Sequence, residues 1–76
     1  MTEETRNAEQ LGKEAGGRRR RKGLSLSDIS GRTKIRVQFL EAIENGTLQD
    51  LPQSLYARGF VRRYLEVIES QDLWAE

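Results

Sequence analysis

Two groups of side chains in this sequence stand out for what they can bind. Arg18–Lys22 is a run of five cations, and Tyr56 and Phe60 are aromatics four residues apart with Arg63 close behind. A cation run can meet nucleic-acid phosphate or an anionic membrane. Aromatics beside an arginine are the usual composition of interface hot spots. Each group also has a plainer reading. Charge runs are commonly solvated helix faces, here with Arg19 in a structural ion pair, and paired aromatics at helical spacing are commonly core. For covalent chemistry the chain supplies little. It has no cysteine and no histidine, which removes disulfides, thiolate nucleophiles, imidazole bases and the commonest metal ligands. No glycine-rich phosphate loop, nucleophile elbow or carboxylate pair with a pocket is apparent. A non-catalytic binding module is expected, with no catalytic residue, metal or cofactor.

At 76 residues the chain has room for one domain, and 36% hydrophobic against 33% charged residues suits a solvated fold with a modest core. Net charge is only +1, so local charge carries more information than the total. The acidic start has no apolar stretch of the kind a signal peptide needs, and no apolar run approaches the ~20 residues of a bilayer span.

The elements that must carry these side chains are all helical. Residues 1–10 read as a disordered acidic tail, residues 11–70 as the domain, and residues 71–76 as a tail or short final helix anchored by Leu73 and Trp74. A first helix over Leu11–Lys22 looks poor, because Gly16 and Gly17 sit mid-helix at a cost of about 1 kcal/mol each. A second helix spans Ser25–Arg32, with Ser25 as N-cap and Asp28 three residues on. A third spans Arg36–Asn45, ended by Gly46 in a left-handed conformation. A fourth runs from Gln53 to about Glu69, with Gly59 as a candidate bend. Its apolar arc covers nearly half the circumference, more than docking on a core requires. Val61, Leu65 and Ile68 are assigned inward; Tyr56 and Phe60 form the surplus. The expected core is Leu26, Ile29, Ile35, Leu40, Ile43, Leu51, Val61, Tyr64 and Ile68.

The second and third helices are joined by Gly31–Ile35, the length and composition of a helix-turn-helix. The fold expected is all-α, four to five helices built around that motif. If the domain read DNA, Arg36, Val37, Gln38, Glu41 and Ala42 would meet the major groove, with Gln38 pairing adenine and Arg36 contacting phosphate or guanine. Glu41 would work against that, and Val37 and Ala42 offer no hydrogen bonds.

From Gly23 to Gly46 the sequence resembles phage-repressor-type helix-turn-helix domains. It is more narrowly similar to the cytoplasmic domain of the RodZ family of bacterial cell-shape proteins. That likeness rests on Leu11-Gly12, Arg19, Gly23–Leu26, Thr33–Arg36, Leu40–Glu44, Leu51-Pro52 and above all Tyr56–Tyr64. It implies a cytoplasmic module of a single-pass inner-membrane protein, its membrane segment lying outside this chain. It further implies binding to the bacterial actin MreB through the aromatic face of the fourth helix, at Tyr56 and Phe60, with Arg63 beside them. The alternative is a repressor-type DNA-binding regulator using Arg36, Val37 and Gln38. Weak, non-specific contact of nucleic acid with Arg18–Lys22 is compatible with either.

Overall fold

The computed structural model describes residues 3–47 and 57–73. Among the described residues, four helices, α1 (Glu3–Arg21), α2 (Leu26–Thr33), α3 (Val37–Asn45) and α4 (Ala57–Val67), precede a 3-10 turn at Gln71–Leu73. The all-α class and the helix-turn-helix follow the sequence closely. Leu48, Leu51, Pro52, Tyr56 and Trp74 lie outside the described residues.

The largest departure is at the start. Helix α1 begins at Glu3, so it takes in most of the segment expected to be a disordered tail. Ala8, Glu9 and Gln10 are strong helix formers, and the backbone of Glu9 lies against Gly46, close enough that a Cβ there would stand 2.8 Å from the Glu9 Cα. Gly16, one of the two glycines expected to weaken α1, has a use, and so does Gly12. Gly12 and Gly16, one helical turn apart, lie where α1 crosses α3. A Cβ on Gly12 would collide with the Ile43 carbonyl and stand 2.6 Å from that of Glu44; one on Gly16 would stand 3.0 Å from the Glu44 carboxylate.

Helix α2 starts in a capping box. The Ser25 hydroxyl accepts from the Asp28 amide (3.0 Å), and the Asp28 carboxylate accepts from the Ser25 amide (2.9 Å). The bond from the Ser25 amide, first of all, holds the Asp28 carboxyl below the usual carboxylate range. The turn comes later than the sequence suggests. Gly31 stays inside α2, and the left-handed position falls on Lys34 (φ 65°), whose amide donates to the Ser30 carbonyl. Buried Thr33 closes the turn from inside: its hydroxyl donates to the Ile29 carbonyl (2.9 Å) and accepts from the Ile35 amide (3.1 Å). Gly46 ends α3 in the left-handed conformation (φ 74°), as its position predicts.

The core joins all four helices. Ile29, Ile35, Leu40, Ile43, Tyr64 and Ile68 are buried as expected, and Leu26 and Val61 are partly buried against them. Ala15, Phe39, Ala42 and Leu65 are buried too. Ala42 therefore faces inward and is not available to a groove.

Candidate partner-binding surface

Helix α4 carries the first candidate surface. At about 100° per residue, Tyr64, Ile68, Val61 and Leu65 share its inner side, while Phe60, Arg63 and Val67 lie to one flank. Phe60 is partly buried rather than free. Its ring stacks on that of Phe39, with centroids 5.6 Å apart and planes 20° from parallel. The expectation that Phe60 stands outside the core is corrected by this contact: a broad apolar arc on α4 finds a matching ring on α3. Arg63, one helical step away, is exposed. Tyr56 lies outside the described residues; of the other two expected partner-binding residues, both on α4, Phe60 is partly buried and Arg63 exposed.

The outer face of α3 is the second candidate. Arg36, Val37, Gln38 and Glu41 are all exposed there, and Val37 is the largest exposed apolar side chain among the described residues. The basic run is the third, and it is largely neutralised. Arg18 bonds Asp72 (2.8 Å) and Glu14 (3.3 Å), Arg21 pairs with Glu14 and Lys22 with Glu69, both at 3.6 Å. The Arg18 guanidinium holds the Asp72 carboxyl below the usual range.

Arg19 is in a different position from its neighbours. It grips Glu44 bidentately, Nε to Oε2 at 2.6 Å and an Nη to Oε1 at 3.1 Å, with both side chains only 12% exposed. Its other Nη donates to the Leu24 carbonyl at 2.9 Å. The fully buried Tyr64 hydroxyl donates to Glu44 Oε2. One carboxylate of α3 thus ties α1 to α4. Burial and the carboxylate it donates to push the Tyr64 phenol well above its ordinary value. The sequence pairs Arg19 with an acid but does not say which. The available signal was that Glu44 stands four residues after core Leu40, at the edge of the buried face of α3.

Among the described residues, no group of acidic side chains is arranged to hold a metal ion.

The family described as a helix-turn-helix domain matches residues 17–72, more than half of the chain. The chain belongs to this family, with a helix-turn-helix domain of the RodZ type. It is 36% identical over 50 residues to the cytoskeleton protein RodZ of Streptococcus pneumoniae, covering 66% of this chain and 18% of that protein. It is also 36% identical over 45 residues to the uncharacterized membrane protein YmfM of Bacillus subtilis, covering 59% of this chain and 16% of that one. The chain spans less than a fifth of the length of these curated relatives. No solved structure matches it. No described helix of this RodZ-type domain is long and apolar enough to cross a membrane.

Proposed function

We propose that this RodZ-type domain is the filament-contacting module of a membrane-anchored cell-shape protein, and that it meets the bacterial actin MreB through α4. The observation that carries the reading is the Phe39–Phe60 stack, with exposed Arg63 three residues after Phe60 on the same helix. It forms an aromatic platform with an adjacent cation, the composition favoured in interface hot spots, and this composition is what supports a partner on α4. Tyr56 is included in the proposal on the resemblance alone. The domain works by binding rather than catalysis, and the membrane enters only through a segment outside this chain.

The test is co-sedimentation with purified MreB filaments. Arg63 is the residue to change first, because it is exposed and Phe60 is not wholly so. Arg63→Glu reverses a charge at the rim of the proposed interface and should weaken binding by about 5- to 30-fold, more at low salt. Wild-type affinity in Arg63→Glu at low salt would overturn the reading.

A repressor-type DNA-binding role is the second reading, favoured by the joint exposure of Arg36, Val37 and Gln38 along the outer face of α3. Glu41 is exposed on that same face, where it opposes phosphate. The cations of Arg18–Lys22 are mostly engaged with carboxylates, so nucleic acid contact there is weak and non-specific. A sequence-selective footprint at physiological salt, lost in Gln38→Ala, would promote this reading over the first.

A further inference from the structure

Tyr64 lies four residues after Phe60 and next to Arg63, but on the inner side of α4. Its ring is fully buried and its hydroxyl ends on Glu44, which Arg19 holds from the other side through two charge-assisted bonds. Apolar packing is non-directional and tolerates small rotations of a helix about its axis. A hydrogen bond is directional and short-ranged. A rotation of about 30° carries an atom 6 Å from the helix axis through about 3 Å, the full length of such a bond. The Glu44 carboxylate is itself immobilised by Arg19 on α1, so it offers α4 a fixed point in the body of the domain.

We infer that Glu44 is a positioning residue for the partner-binding face: acting through the Tyr64 hydroxyl, it sets the rotation of α4 and hence how Phe60 and Arg63 are presented together. The inference rests on the reading of α4 as the partner face. The fixed point lies on α3, one position beyond Ile43 and five beyond Phe39, so the helix that supplies the lower ring of the Phe39–Phe60 stack also supplies the anchor that aligns the upper one.

Two variants of the 76-residue chain separate positioning from plain stability. Tyr64→Phe keeps the ring and the Arg19–Glu44 pair but removes the hydroxyl. Glu44→Gln removes the charge pair with Arg19 but keeps an amide that can hydrogen-bond the Tyr64 hydroxyl. Glu44→Gln should be the less stable of the two. For positioning the order reverses: Tyr64→Phe should lose about fivefold or more in affinity for the actin filament, and Glu44→Gln less. In the free chain, NMR should show changed Phe39–Phe60 nuclear Overhauser contacts and ring-current shifts in Tyr64→Phe. Ile29→Val, a core change of similar stability cost away from the network, should alter neither readout. Affinities that simply follow stability across the three variants would overturn the positioning role. So would a Phe39–Phe60 contact in Tyr64→Phe identical to the wild type, whatever the filament does. The ring contact is read without the filament. A failure of the partner-face reading, seen as undiminished binding by Arg63→Glu, is therefore recognised separately.

Discussion

Replacing Glu44 with alanine is the sharpest test of what holds the domain together. The substitution removes the carboxylate that receives two Arg19 bonds and the Tyr64 bond. Arg19 retains the Leu24 carbonyl, but its guanidinium sits in a side chain that is only 12% exposed, and the buried Tyr64 hydroxyl loses its acceptor. Removing one partner of a buried pair costs about 3–5 kcal/mol, because the charge left behind is poorly solvated. The small opening to solvent lets water reach Arg19 in part, which places the expected loss near the lower end, about 3 kcal/mol. A domain of this size has about 4–11 kcal/mol in total, at about 0.05–0.15 kcal/mol per residue. The variant should therefore fold marginally, with Tm lowered by about 12–24 °C. Urea unfolding followed by circular dichroism measures the loss, with an unchanged m-value confirming that the same surface is exposed. Glu41→Ala is the control: Glu41 is an exposed acid on the outer face of the same helix, and its removal should change stability by no more than about 0.5 kcal/mol. A loss below about 1 kcal/mol for Glu44→Ala would mean that water solvates Arg19 nearly as well as the carboxylate does. The tie between the three helices would then contribute little.

Other consequences can be read in melts and titrations. Gly12→Ala should destabilise the domain by at least about 2 kcal/mol, since its methyl meets carbonyls of α3 that cannot easily retreat, whereas Gly31→Ala, in open space inside α2, should stabilise it by about 0.5–1 kcal/mol. Lys34→Gly should raise stability by up to about 1 kcal/mol by relieving a non-glycine residue at φ 65°. Asp28 and Asp72 have lowered carboxyl values in the folded state, so their contribution is present above the unfolded value near 4 and is lost as acid protonates them; stability should fall below about pH 4. Tyr64 is shifted the other way, so its contribution is full below the unfolded value near 10 and declines above it; Tyr64→Phe should abolish that part of the alkaline loss.

The order in which these features became legible follows the range of the forces behind them. Caps and turns are local. Ser25 with Asp28 and Asn45 with Gly46 announce the ends of α2 and α3 because each makes its bonds within a few residues. The stripe Leu40–Ile43 announces a buried face because helical periodicity is a property of the chain alone. The helix ends on either side of the turn fall within one residue of the sequence reading, but the bond that closes it, from the Ile35 amide to the Thr33 hydroxyl, is not legible there, since that hydroxyl's role depends on being buried. The role of the glycines in the first helix is hidden from the sequence for a related reason. Gly12 and Gly16 lower helix propensity wherever they occur, and only a second helix crossing at that point turns their missing side chains into close contact.

The candidate site divides along the same line. The residue types of the proposed partner-binding face are written in α4, and the spacing of Phe60, Arg63 and Tyr64 around the helix follows from about 100° per residue. What the ring of Phe60 rests on, and which acid receives Arg19, depend on contacts between residues about 20 and 25 positions apart. Propensity and periodicity are sums over near neighbours, so they specify which segments become helices and which stripe of each is apolar. The bidentate pair of Arg19 and Glu44, the Tyr64 hydroxyl on the same carboxylate, and the stack of Phe60 on Phe39 arise only when separate helices come within hydrogen-bonding or van der Waals distance. At that range the crossing of α1 on α3 and the rotation of α4, not the order of residues along the chain, decide which side chains meet.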